Sequence, residues 1–330
     1  MTITDVFETY KEDLRQVETQ IVLHLGSRAE VVKHVGEYLL SGGGKRIRPL
    51  LLMIAARLGE GAGGLNGGLE NALKMGAMVE FIHTASLLHD DVVDGADIRR
   101  GRASANAVWG NQAIVLIGDY LYSRGIQEAI LIDNQRIVES LSRATTAMSE
   151  GEILQLQKSG DPEMTEEDYF EIIEAKTAAL ISSSCQIGAV LGGMPPEKDE
   201  ALAGYGLDLG RAYQLLDDAL DYTARQDKLG KTLGKDLGEG KLTLPLIHLL
   251  TKSQPAEAVR IKDIIARKSQ DKEDLEYILS LMREYRSIEF AVDRAKSYIE
   301  SAKARLAVFP AGPHKDALCA VADYVVEREM

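Results

Sequence analysis

Residues 69–94 read LENALKMGAMVEFIHTASLLHDDVVD. Apolar residues recur through this stretch at helical spacing, with none of the alternation that a half-buried strand needs. They run into Asp90, Asp91 and Asp94, a D-D-x-x-D triplet. The spacing predicts an apolar-faced helix over Leu69–Leu88 with the triplet at its end. Residues i and i+4 share a helix face, so Asp90 and Asp94 point the same way. Like charges so placed cost a helix roughly 0.2–0.5 kcal/mol per pair. A hard divalent cation would offset that cost. Mg2+ takes oxygen ligands, usually one or two carboxylates together with the phosphate oxygens of a substrate. A solvated acidic helix end is the alternative, and one triplet alone leaves both readings open.

Working outward, the same periodicity predicts helices at Tyr38–Leu40, Leu50–Leu58, Ala113–Ile132, Arg136–Leu156, Tyr169–Leu191 and Ala201–Tyr222. From Ala256 to Glu329 the chain is more charged and reads as shorter amphipathic helices. Thr165 with Asp168 resembles a capping box ahead of a helix. Breaks fall at Gly42–Gly44, Gly59–Gly68, Asp161-Pro162, Pro195-Pro196, Gly230–Gly240 and Pro310–Pro313. None is long or polar enough to serve as a domain linker, and no repeat of 20–50 residues is present. The expectation is one all-α domain spanning 1–330. Two glycine motifs are set aside. Gly59-Glu60-Gly61-Ala62-Gly63-Gly64 fits G-x-G-x-x-G but follows a helix rather than a strand. Gly44-Lys45 is followed by Arg46 and not by Ser or Thr, so it is no Walker lysine.

The chain has 330 residues, of which 45% are hydrophobic, and its net charge is −13. That is enough apolar material for a substantial core, and the acidic balance argues against nucleic acid as a partner. Two cysteines, Cys185 and Cys319, make no disulfide framework and have no zinc spacing, which fits a reducing cytoplasm. The N-terminus lacks the basic start and apolar run of a signal peptide. No stretch offers the ~20 apolar residues of a membrane span. The expectation is a soluble, cytoplasmic protein.

The acidic device occurs twice. Asp217, Asp218 and Asp221 form a second D-D-x-x-D, closing an apolar run that carries Gln214. Two triplets facing each other across a cavity could hold several Mg2+ ions and one diphosphate, with metal bridging to stabilise the leaving charge. Cations follow each acidic or glycine-rich feature. Lys45, Arg46 and Arg48 follow Gly42-Gly43-Gly44. Arg99, Arg100 and Arg102 follow the first triplet, and Lys231, Lys235 and Lys241 follow the second. Backbone amides and cations together suit a phosphate. Surface charge pairing would explain any one group alone, and the joint pattern points to anion binding. A metal phosphohydrolase built on His89-Asp90 would leave the second triplet and the lysine loop unexplained. It would also need further metal histidines, and His24, His34 and His248 have no evident spacing for that.

In combination these residues resemble the trans-isoprenyl (polyprenyl) diphosphate synthase family, and its long-chain members in particular. The similarity runs from about Gly42 to Pro245. It rests on GGGKRIRP (42–49), HTASLLHDDVVD (83–94), RRG (99–101), GDYL (118–121), EGEILQL (150–156), KTA (176–178), QLLDDALD (214–221) and GKDLGEGKLTLP (234–245). The chain departs from the family pattern at Gly95-Ala96-Asp97, where a Glu or Asp-Ser is familiar.

The resemblance implies an isoprenoid-synthase-type bundle of antiparallel helices around a central cavity, a homodimer, and Mg2+ held by Asp90, Asp91, Asp94, Asp217, Asp218 and Asp221. Arg99, Lys176, Lys231 and Lys241 look like ligands of an allylic diphosphate. Lys45, Arg48, His83 and Arg100 look like the isopentenyl diphosphate pocket. Thr177 and Gln214 are similar to residues near a developing carbocation. The inner aspartates, Asp91 and Asp218, are the weaker candidates for direct ligation, because adjacent residues on a helix diverge by about 100°. No nucleophile triad is expected. Ala85 and Ser86 lie roughly 6–7.5 Å along the helix from Asp90, where shorter-chain members carry an aromatic floor. Small residues there imply an open tunnel and a product of about forty carbons, of the kind used for quinone side chains, with a floor near Ile126 or Ala129. The implied partners are the two diphosphate substrates and, at product release, a transient membrane contact. The competing readings are a farnesyl or geranylgeranyl synthase, a non-catalytic subunit of a heteromeric synthase, which should have lost aspartates, and a terpene cyclase, which normally carries a different second metal motif.

Overall fold

The computed structural model describes residues 1–41, 43–59, 68–99, 101–223 and 234–327. Arg100 and Lys231, both expected at the site, lie outside the described residues, as does all of the Gly59–Gly64 motif except its first glycine. The described chain is helical apart from one two-stranded ribbon. It forms two compact units, Met1–Thr146 with Leu180–Gly206 and Arg305–Val321, and Ala147–Ala179 with Leu207–Ala304 and Ala322–Met330.

The first unit is organised around the helix that carries residues 69–93. Helices α1 (Ile3–Thr9), α2 (Lys11–His24), α3 (Glu30–Ser41) and α4 (Ile47–Leu58) precede α5 (Gly68–Val93), and α6 (Ala105–Trp109) and α7 (Asn111–Leu131) follow it. The expected helix over 69–88 extends to Val93, so Asp90 and Asp91 are helical residues. Asp94 continues the pattern, its N–H donating to the Asp90 carbonyl at 2.8 Å. α5 is apolar nearly all round, which suits a helix covered on several sides, and it packs on α7, α4 and α2. Small residues set the spacing. A Cβ added to Gly118 would sit 2.2 Å from His89 Nε2, and one on Gly125 would sit 3.0 Å from Ile82. From Leu50 to Ala56, α4 has no exposed surface. α1 and α2 were not legible beforehand, because charges on nearly every turn dilute the apolar stripe of α2 (KEDLRQVETQIVLH).

The second unit holds the C-terminal part of α8 (Gln135–Lys158), then α9 (Glu166–Ile173) and most of α11 (Pro196–Asp221). The capping box expected before α9 is present: Asp168 N–H donates to Thr165 Oγ1 at 3.1 Å, and Thr165 N–H donates to Asp168 Oδ2 at 2.9 Å. The single helix expected over Tyr169–Leu191 is corrected. α9 ends at Ile173, a π turn occupies Glu174–Ala178, and α10 (Ala179–Leu191) follows. Periodicity alone cannot register one extra residue in a turn, which is why the run read as continuous. α11 begins at Pro196 rather than Ala201. The later helices are the short amphipathic ones expected. Leu244–Lys252 packs against Pro255–Ala266, Lys272–Glu284 and α9.

Candidate active site

Both aspartate triplets sit at the C-terminal ends of their helices, α5 and α11. A helix C-terminus already carries partial negative charge, so each carboxylate there is disfavoured by roughly 0.3–1 kcal/mol. The fold answers this unevenly, and in the same way twice. The inner residues, Asp91 and Asp218, are 2% and 5% exposed and are met by protein partners. The outer ones reach solvent: Asp94 and Asp217 are exposed, and Asp90 and Asp221 are half-buried.

In the first unit, Arg99 Nε donates to both oxygens of Asp91, at 2.7 and 2.8 Å. The ribbon places that arginine: β1 (Ile98–Arg99) pairs antiparallel with β2 (Arg102–Ala103), Arg99 opposite Arg102. Gly95 has φ +61, a left-handed conformation that favours glycine. Ala96 N–H and the Asn106 amide donate to the Asp91 carbonyl at 2.9 and 3.3 Å, fixing the turn. Upstream on α5, His83 is half-buried and Ser86 Oγ donates to the His83 carbonyl at 2.8 Å. Ala85 has no exposed surface, whereas Ser86 is half-buried. Lys45 is exposed and Arg48 half-buried at the start of α4. His89 is occupied with α7: its Nε2 lies 3.1 Å from the Val115 carbonyl and 3.5 Å from Asp119, and its ring stacks on Tyr122. That disposes of it as a phosphohydrolase ligand.

In the second unit, Lys176, Thr177, Gln214, Asp218 and Lys241 line one cavity of about 150 Å³. The π turn carries Lys176 and Thr177 into it. A hydrogen-bonded chain runs along the wall. Thr177 Oγ1 donates to Gln214 Oε1 at 2.9 Å, and Gln214 Nε2 donates to Asp218 Oδ1 at 2.7 Å. Tyr169 OH donates to Asp218 Oδ2 at 2.6 Å. Lys176 pairs with Glu152 and donates to Gln155 Oε1 at 2.7 Å. Lys241 lies 2.7 Å from Glu239. Asp236 N–H donates to Asp221 Oδ2 at 3.0 Å. Tyr169, Asp236, Glu152 and Gln155 were not singled out from the sequence. The last three stand inside the stretches EGEILQL and GKDLGEGK, two of those that carry the family resemblance. Tyr169 carried no signal beyond an apolar helix position.

Burial pushes the Asp218 carboxyl up to about 7, against the lowering effect of its bonds from Tyr169 and Gln214. Asp236 is raised well above the usual carboxylate range, mainly by burial and then by the charges of Asp218 and Asp221. A carboxyl whose folded pKa exceeds its unfolded value keeps its proton longer when folded. Through Asp218, the metal-free protein should therefore lose stability as pH rises from about 4 to about 7, where that group's contribution ends, and Asp236 acts in the same direction. Asp218→Asn should flatten this slope and raise the urea midpoint at pH 7. An unchanged slope in denaturation series across that window would refute the burial account.

Among the described residues, no three acidic, histidine or cysteine side chains converge tightly enough to hold a metal by themselves. The outer carboxylates nonetheless fit a hard cation that draws its remaining ligands from a bound phosphate. They are all-oxygen donors, one helical turn apart, solvent-reaching and at the negative end of a helix.

The Polyprenyl synthetase family model matches residues 29–282. Octaprenyl diphosphate synthase of Escherichia coli (strain K12) is 40% identical over 329 residues, 100% of each chain. All-trans-nonaprenyl-diphosphate synthase (geranyl-diphosphate specific) of Rhodobacter capsulatus is 35% identical over 98% of this chain and 97% of its own. Among solved structures, the polyprenyl synthase of Caulobacter crescentus CB15 complexed with calcium and isoprenyl diphosphate superposes with a TM-score of 0.92. It shares 40% identity over 100% of this chain and 98% of that one.

Proposed function

The chain belongs to the polyprenyl synthetase family and is a prenyltransferase, and from that premise we propose that it extends an allylic diphosphate with successive isopentenyl diphosphate units to an all-trans product of about forty carbons, the octaprenyl length of its E. coli relative. The observation that carries the reading is the twofold split of the aspartates by burial, the inner ones buried and the outer ones reaching solvent, each triplet at a helix C-terminus.

The outer pairs Asp90 with Asp94 and Asp217 with Asp221 would hold Mg2+ against the allylic diphosphate. Asp91 and Asp218 act behind them, through Arg99 and through Tyr169 and Gln214. Bound Mg2+ would neutralise diphosphate charge and ease cleavage of the allylic C–O bond. Lys176 and Lys241 orient the same diphosphate, with Lys231. Lys45, Arg48 and His83, with Arg100, hold isopentenyl diphosphate so that its double bond faces the allylic carbon. Thr177 and Gln214 present oxygen dipoles where positive charge develops. Attack by the double bond makes the new C–C bond, and the proton then lost passes to the departing diphosphate. The protein contributes orientation and the exclusion of water. The same reading treats 1–330 as one synthase domain, working as a cytoplasmic homodimer that touches a membrane when it releases a quinone side-chain precursor. No helix among the described residues is long and apolar enough to cross a membrane.

The test is a product assay with farnesyl diphosphate, isopentenyl diphosphate and MgCl2, an EDTA control, and sizing by mass spectrometry. A metal-dependent ladder ending at octaprenyl length supports the reading. A stop at geranylgeranyl length keeps the enzyme class and overturns the chain length. An untouched primer favours a subunit that works only with a partner.

A further inference from the structure

Three cations stand in GGGKRIRP, and the reading above places Lys45 and Arg48 in the isopentenyl diphosphate pocket. Arg46 behaves differently. Its backbone has φ 48 and ψ 40, a left-handed conformation that a residue with a Cβ adopts only at a cost. Such a conformation persists where the surroundings over-determine it. Arg46 immediately precedes the first turn of α4, and its carbonyl accepts from Leu50 N–H at 2.9 Å. Its side chain is 11% exposed. Nη1 donates to Glu80 Oε1 at 2.5 Å, and Glu80 is itself buried on α5. Glu18 of α2 stands 3.9 Å from Nε, but its side chain is 58% exposed and adds little. Arg46 is thus turned into the protein, against a buried carboxylate on α5, whereas the neighbouring Lys45 is exposed.

The pair has a revealing address. Glu80 lies three residues before His83, so the two share one side of α5. Four residues before Glu80, both α2 and α4 come close at Gly76: a Cβ there would crowd Val17 of α2 at 3.1 Å and meet Pro49 of α4 at an ordinary contact distance of 3.7 Å. α4 therefore rests on α5 at Gly76, and the residue that starts it is tied one turn further along at Glu80. Lys45 and Arg48 flank the tie on one side, and His83 stands a turn beyond it on the other.

We infer that Arg46 and Glu80 are positioning residues for isopentenyl diphosphate: their buried ion pair fixes the cation-bearing loop against the helix that carries His83, and neither touches substrate. This rests on the functional reading above. Glu80→Gln keeps the shape and removes the charge. Arg46→Gly removes the guanidinium while accepting the left-handed backbone. Each should raise the KM for isopentenyl diphosphate about tenfold, and its Kd by calorimetry in the absence of primer by the same factor, since misplacing binding groups weakens the ligand they hold. kcat and the KM for farnesyl diphosphate should stay within about twofold. The double variant should be no worse than about tenfold, because both changes break one interaction. Should Glu80→Gln fail to fold, Arg46→Lys carries the test: it keeps the charge but not the planar fork, and should raise the same KM about threefold. Unchanged isopentenyl diphosphate constants, a parallel rise for farnesyl diphosphate, or multiplying effects in the double variant would each overturn the inference. A wild type that neither binds isopentenyl diphosphate nor elongates overturns the functional reading and this inference with it.

Discussion

Asp90→Asn is expected to lower kcat by on the order of a thousandfold, since charge stabilisation by a bound cation is worth several kcal/mol and each 1.36 kcal/mol is tenfold in rate. Asp90 is half-buried at the end of α5, and Asp94 stands one turn on with its N–H on the Asp90 carbonyl. Removing one carboxylate halves the oxygen pair offered to a cation. The fold itself should not suffer. A negative charge fewer at a helix C-terminus is favourable by roughly 0.3–1 kcal/mol, so the metal-free variant should melt at the same temperature or slightly higher. Asp91→Asn should behave otherwise. Its carboxylate is buried against Arg99, so its loss frees a guanidinium in the diphosphate region and leaves a buried site half-satisfied. The expected signature is a lower melting temperature and a higher KM for the allylic substrate. Steady-state kinetics over a Mg2+ titration, with thermal melts of both variants, separates the two cases. An Asp90→Asn enzyme within tenfold of wild type would remove Asp90 from the metal site.

The second large effect concerns product length. Ser86→Phe should shorten the main product from octaprenyl to geranylgeranyl length or below, while leaving the first condensation intact. Position 86 is one turn from Asp90 on the same face of α5, roughly 6 Å along the axis. Its side chain is half-buried, so an aromatic there has space to enter. Ala85 differs, because it has no exposed surface at all. Ala85→Tyr should also shorten the product, but the ring must displace packed neighbours and should destabilise the protein by about 1–3 kcal/mol. Mass spectrometry of products with a urea denaturation series distinguishes the two. If Ser86→Phe still yields octaprenyl length, the growing chain does not pass this turn of α5.

How far the sequence carried this outcome depends on what kind of signal a residue leaves. The all-α class was legible because α5 and α7 are long apolar runs without the alternation of strands, and α8 is long and amphipathic. Both triplets were legible because spacing on a helix is geometry. That Asp91 and Asp218 turn inward was foreshadowed by the 100° step between neighbours, but their partners were not. Tyr169 reaches Asp218 across 49 residues of chain, and no local pattern encodes such a contact. Arg46 was grouped with Lys45 and Arg48 because three cations in four residues read as one feature. Only a backbone angle and a buried carboxylate 34 residues away separate it from them.

The π turn at Glu174–Ala178 also bears on any attempt to make this protein sturdier. Deleting one residue from it would let α9 and α10 join as a regular helix, with better hydrogen bonds throughout. By the usual measures such a variant could look improved. The same deletion would rotate the helix by about 100° at that point, carrying Lys176 off Gln155 and Glu152 and Thr177 off Gln214. The irregular turn is thus where selection for stability and selection for turnover pull apart, and consensus repair of this segment would give a well-folded chain with its cavity wall facing the wrong way.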